Sequence, residues 1–133
     1  MTARRFTFRV LGGRFAVVRL SPDTPVPAWA TAGKFFSITR TDDELSIVCE
    51  QALAPADVTR SDDWAALKLV GPFAFDETGV VASVTRTLAD AGLGVFVLST
   101  YDGDHVLVPS AGLPAALKAL AEAGHRVLAP EHP

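Results

Sequence analysis

The sequence predicts a mixed α+β fold, and three features of its second half indicate this class. Apolar residues recur at helical spacing after Gly79, a second helical stripe begins near Leu113, and short apolar strands surround both segments. Apolar residues make up 49% of the 133 residues and charged residues 20%, a composition that can form a packed core. We therefore expect a folded chain.

The second half begins with a predicted strand over residues 65–75. The period then changes to that of an amphipathic helix, which Asp76 or Thr78 would cap and Gly92 would end. The apolar stripe of this helix consists of Val80, Val81, Val84, Leu88 and Ala91.

A hairpin is expected next. Residues 93–100 form an apolar strand, the tetrapeptide of residues 101–104 contains an Asp-Gly turn signal, and residues 105–109 return as the partner strand. An acidic turn therefore joins the end of the first strand to the start of the second.

A second helix follows, with Ser110 as its predicted cap and Gly124 as its end. Its apolar stripe consists of Leu113, Leu117, Leu120 and Ala121, and residues 125–129 form a last strand. The order strand, helix, strand, strand, helix, strand is the ferredoxin-like, split βαβ pattern, an antiparallel sheet with both helices on one face.

The first half is a degenerate copy of this order. It contains a predicted hairpin about Gly12-Gly13, a short helix, a second hairpin and an irregular stretch. The segments are residues 6–11 and 14–20, then 25–32, then 34–40 and 44–50, then 53–63. We therefore expect two modules, residues 1–63 and residues 64–133.

Charge and cysteine content exclude several classes of protein. The net charge is −3 and the basic residues are scattered, which disfavours nucleic acid as a partner. Cys49 stands alone, so an internal disulfide and a multi-cysteine metal site are excluded. The longest apolar run, near residues 93–98, is too short to span a bilayer, and a signal peptide is not indicated. We expect a soluble, cytoplasmic protein.

Three segments of the second half carry a family resemblance: residues 76–85, 88–92 and 99–108. Together they resemble the carboxy-terminal module of small bacterial tandem ACT proteins, and are similar to the ACT repeats of aspartate kinases and of the arginine-sensing CASTOR family. The resemblance covers residues 70–124. It implies a regulatory module that pairs as a dimer or within the tandem and holds an amino acid at the junction of the two modules.

The same resemblance implies that Glu77, Thr100 and Asp104 contact the ligand. Elementary chemistry adds further candidates, because a free amino acid needs acceptors for its ammonium and donors for its carboxylate. Asp102 adds an acceptor. The amides at the helix start add donors, and Tyr101 adds an aromatic wall. The remaining candidates, all at the helix start, are Thr78, Gly79, Val80 and Val81.

Structural explanations compete with these roles. Asp102 and Asp104 suit a tight hairpin turn, and Glu77 and Thr78 suit the capping of a helix. The histidines are dispersed and neither a nucleophile elbow nor a phosphate loop occurs, so we expect neither an enzyme, nor a cofactor, nor a metal site. The alternative function is a protein–protein interaction module without a ligand.

Overall fold

The computed structural model describes residues 5–70 and 78–128, and these residues form eight strands and two helices. The strands are β1 (Thr7–Val10), β2 (Phe15–Leu20), β3 (Ser37–Arg40), β4 (Leu45–Glu50), β5 (Thr59–Leu69), β6 (Phe96–Ser99), β7 (Asp104–Pro109) and β8 (Arg126–Leu128). The helices are α1 (Val80–Asp90) and α2 (Leu113–Glu122). The predicted α+β class is confirmed.

The chain divides into two compact units. The first, unit 1, combines the residues up to Gly12 with those from Ala65 onward, and the second, unit 2, is Gly13–Trp64. The sequence assigns residues 1–63 to the first module, whereas residues up to Gly12 belong to unit 1. The reason is strand pairing, because β1 pairs antiparallel with β5 and parallel with β8. That both units are ACT modules stays a prediction.

In unit 1, β6 pairs with β7, β7 with β5, β5 with β1 and β1 with β8. Alternate residues of the strands point into a core formed with the two helices. Leu67 and Leu69 of β5 are 0% and 1% exposed and belong to one apolar cluster with Val84, Leu88 and Leu120. The sheet of unit 1 therefore buries one face beneath the helices.

Helix α1 begins and ends at glycines. Gly79 is its N-cap, with φ of 79°, and no side chain within residues 5–70 and 78–128 caps the helix, so the predicted cap by Thr78 is wrong. The alternative cap, Asp76, lies outside the described residues. Gly92, at φ 79°, ends the helix as predicted. Its N–H donates to the Ala89 carbonyl at 2.9 Å and the Leu93 N–H to the Leu88 carbonyl at 3.1 Å, which is a Schellman motif.

Helix α2 ends at a glycine, as α1 does. Its start differs from the predicted one. Ser110 starts a 3-10 turn, Ser110–Gly112, and the N-cap of α2 is Gly112 without a side-chain bond, so capping by Ser110 is wrong. The tight turn moves the start of the helix beyond the reach of the hydroxyl. Gly124 ends the helix as predicted, at φ 94°.

Strand β5 is longer at its start than the sequence indicates. Residues 59–63, predicted as irregular, pair with β2, where Arg19 lies opposite Thr59 and Val17 opposite Ser61. Residues 59–63 lack the apolar alternation of a half-buried strand. Their strand conformation depends instead on backbone pairing with β2. The predicted continuation over residues 71–75 lies outside the described residues.

Unit 2 contains the predicted hairpin of β3 and β4, which pair antiparallel with Ile38 opposite Ile47. The predicted short helix is a single 3-10 turn, Ala28–Thr31. The hairpin predicted about Gly12-Gly13 is wrong, because β2 pairs with β4 and β5, while β1 pairs with β5 and β8. The buried core consists of Ala16, Val18, Ala30, Leu45, Ile47 and Cys49.

Candidate functional site

A cleft of about 440 Å³ lies in unit 1, between the end of β5 and the turn that joins β6 to β7. Three of its lining residues are predicted site residues: Thr100, Asp102 and Asp104. The remaining described residues that line it are Lys68, Leu69, Val70, Gly103 and His105. The cleft therefore has one wall from a strand and one wall from a hairpin turn.

Thr100 holds the shape of the turn. Its N–H donates to the Gly103 carbonyl at 2.7 Å, its hydroxyl donates to the same carbonyl at 3.0 Å, and the Gly103 N–H donates to that hydroxyl at 3.3 Å. The hydroxyl is therefore committed to the turn, which is the structural role that competes with ligand contact. The closed turn sets the register in which Ser99 lies opposite Asp104.

The two turn carboxylates differ in their surroundings. Asp104 is half-buried and accepts a hydrogen bond of 2.5 Å from the Ser99 hydroxyl, which fixes one carboxylate oxygen and leaves acceptor capacity on the other. Asp102 is exposed, and its side chain has no hydrogen bond or ion pair among residues 5–70 and 78–128. The turn therefore presents acceptors that a cationic group could use.

The strand wall contributes a cation that the sequence analysis missed. Lys68 is exposed between the buried residues Leu67 and Leu69, because successive side chains of a strand point to opposite faces. The signal was present in the sequence, since Lys68 is the single charged residue in the apolar run from Ala65 to Val70. What the sequence lacks is the pairing of β5 with β7, which brings this lysine to the turn.

His105 lies on the β7 side of the cleft and is half-buried. Burial lowers its pKa, and the nearby Lys68 ammonium lowers it further, while Asp104 acts in the opposite direction. The imidazole is therefore neutral near pH 7 and adds no positive charge to the cleft.

The other predicted site residues do not line the described part of the cleft. Thr78 and Gly79 are exposed at the start of α1, Val81 is half-buried, and Val80 is 6% exposed with its side chain in the core. Tyr101 is 77% exposed on the turn and is not among the residues that line the cleft. Glu77 lies outside the described residues. Its ligand contact, and the predicted position at a junction of two modules, stay predictions.

Two further kinds of feature are absent from residues 5–70 and 78–128. No group of three or more His, Cys, Asp or Glu side chains is placed to hold a metal ion there. No helix within the same ranges has both the length and the apolar character that crossing a bilayer requires.

Two family models match the chain. Residues 59–122 match the ACT domain, and residues 13–57 match a family described as an N-terminal domain. These matched ranges follow the two compact units closely, apart from β1 and β8, which lie outside the ACT match, and the first part of β5, which lies inside it.

Relatives and solved structures agree with these matches. The Agrobacterium tumefaciens protein Atu0741 is 50% identical, with a TM-score of 0.92, covering 98% of this chain and 97% of its own. The "Cytosolic arginine sensor for mTORC1 subunit 1" of Homo sapiens is 30% identical over 105 residues, which are 73% of this chain and 31% of the sensor. The chain thus spans about a third of the length of that relative.

The regulatory subunit of aspartate kinase from Thermus thermophilus has the same fold, with a TM-score of 0.58 at 17% identity, over 84% of this chain and 93% of the subunit. The fold and these comparisons define the class as an α+β module with an ACT domain. Residues 59–122 belong to the ACT domain family, and over nearly its whole length the chain belongs to one family with Atu0741. The family resemblance read from the sequence is therefore confirmed.

Proposed function

We propose that this protein is a non-catalytic regulatory module that binds a free amino acid in the cleft of unit 1, and that the ligand is cationic. The proposal rests on one observation: Asp102 and Asp104 both line one cleft within the ACT domain. The relative named as an arginine sensor supports the class of ligand. Transmission of the signal to a partner protein or to a second copy, in the cytoplasm, stays a prediction.

The charge of the cleft supports a ligand with a net positive charge. Among the described residues, the cleft is lined by two carboxylates, those of Asp102 and Asp104, and by one ammonium, that of Lys68, while the burial-lowered pKa of His105 keeps its imidazole neutral. A cationic amino acid would balance this excess of negative charge. Hydrogen bonds between charged groups contribute roughly 1.5–3 kcal/mol each, so two such contacts give measurable affinity.

The proposal is tested by thermal denaturation of the protein with each of the twenty amino acids. A ligand at about 100 times its Kd stabilises the folded state by roughly 2.7 kcal/mol, and we expect arginine or lysine to raise the Tm most. A well-folded protein whose Tm responds to none of the amino acids would refute the proposal. A response confined to uncharged or acidic amino acids would refute the cationic specificity.

A matched pair of variants assigns the effect to the cleft. The double variant Asp102→Asn with Asp104→Asn removes both turn carboxylates and should weaken binding by about tenfold or more for each lost contact. The control, Asp42→Asn with Asp43→Asn, removes two carboxylates from the β3–β4 turn in unit 2 and should bind as the unmodified protein does. Equal effects of both pairs would point to general charge rather than to this cleft.

A further inference from the structure

We propose that Lys68 binds the carboxylate of the ligand, so that the cleft recognises both charged groups of a free amino acid. The inference rests on the proposed function, and it adds a specificity residue from the strand that lines the same cleft as the acidic turn. It makes the free carboxylate of the ligand a requirement for tight binding.

The position of Lys68 in β5 supports this role. Its neighbours Leu67 and Leu69 are fully buried beneath the helices, so the alternation of the strand directs Lys68 to the other face of the sheet. Its side chain is exposed and has no hydrogen bond or ion pair with any residue that the structure describes. The ammonium is therefore available to an anion that enters the cleft.

The turn that lines the same cleft carries charge of the complementary sign. Asp102 and Asp104 occupy the turn, and Lys68 occupies the strand, around the same cleft. An amino acid that spans the cleft would therefore direct its carboxylate to the strand wall and its cationic groups to the turn. A ligand with the same side chain and an uncharged amide in place of the carboxylate would lose only the strand contact.

The test uses isothermal titration calorimetry with L-arginine and L-argininamide. The unmodified protein should bind arginine about tenfold or more tightly than the amide, as expected for one charge-assisted contact. The variant Lys68→Met keeps most of the apolar stem and removes the charge. We expect it to bind arginine about 10- to 100-fold more weakly and to bind the two ligands with nearly equal affinity.

Lys118→Met serves as the control, because Lys118 is an exposed lysine of α2 paired with Glu122 and does not line the cleft. It should retain the preference of the unmodified protein for arginine. If Lys68→Met preserves that preference, or weakens both ligands equally, the role of Lys68 is wrong while amino acid binding stands. If the unmodified protein binds lysine rather than arginine, the same comparison is made with L-lysine and L-lysinamide. If it binds neither, the proposed function fails first, and the inference fails with it.

Discussion

Substitution of His125 is expected to reveal a pH-dependent attachment of β1 to the core of unit 1. His125 is 7% exposed and follows α2, and its Nδ1 accepts a hydrogen bond of 3.0 Å from the Phe6 N–H. Its ring stacks on Phe6 and meets Phe8 edge-on, each at a centroid distance of 5.5 Å. The bond requires a neutral imidazole, because a protonated ring has no acceptor nitrogen.

The expected loss in the free energy of unfolding follows from the burial of the Phe6 N–H. Phe6 is 6% exposed, so His125→Leu removes the acceptor of a buried hydrogen bond, at a cost of about 1–3 kcal/mol in the free energy of unfolding. His125→Asn offers an amide oxygen as a replacement acceptor and loses the ring contacts, which contribute about 0.5–1.5 kcal/mol beyond area burial. We therefore expect the leucine variant to lose the hydrogen-bond contribution that the asparagine variant retains.

The pH dependence has a defined sign. Burial lowers the pKa of His125 in the folded state, so below about pH 6.5 the unfolded chain binds more protons than the folded chain does. The contribution of neutral His125 to stability is fully present above the pKa that the histidine has in the unfolded chain. It is lost as the pH falls toward the lower pKa that the histidine has in the folded protein. Burial also lowers the pKa of His105, which adds a contribution of the same sign.

Urea denaturation at pH 8 and pH 5.5 measures both effects. Circular dichroism is the suitable signal, because both tryptophans, Trp29 and Trp64, lie in unit 2. The unmodified protein should lose more stability on acidification than either His125 variant, and each variant should keep the share due to His105. An unchanged pH dependence in both variants, or a leucine variant as stable as the unmodified protein, would refute this account of the histidine.

Two further predictions concern single residues in each unit. Gly92→Ala should destabilise by about 1–2 kcal/mol, since Gly92 has φ of 79° and open space around it, so that backbone conformation alone opposes the change. Gly94→Ala, also in open space and without a positive φ, should be near neutral in the same thermal denaturation, and equal losses would refute the argument. Cys49 is 1% exposed and burial raises the pKa of its thiol, so a disulfide-exchange reagent should modify it far more slowly in native than in unfolded protein. Equal rates would contradict that burial.

Local chemistry explains how much of the fold the sequence could predict. The period of the apolar residues predicts both helices, and Gly92 and Gly124 predict where they end, because the left-handed conformation needed there favours glycine. The hairpin of β3 and β4 is predicted for the same reason, from turn residues between apolar strands. Each of these features depends on neighbours within a few positions along the chain.

The candidate site could be predicted only in part. The acidic turn is visible in the sequence, so Asp102 and Asp104 were named, and they line one cleft. Lys68 was not named, because its place beside the turn follows from the pairing of β5 with β7. A lone lysine in an apolar strand does not indicate which residues it will face.

By itself the sequence determined the order of the elements, the ends of the helices and the acidic turn, since periodicity and turn chemistry act over short distances. Tertiary structure alone decided that β1 lies between β5 and β8, that Lys68 and the turn carboxylates line one cleft, and that His125 accepts a hydrogen bond from Phe6. The physical reason is that pairing between distant strands depends on which buried faces and backbone donors fit one another, and a local pattern does not contain that information.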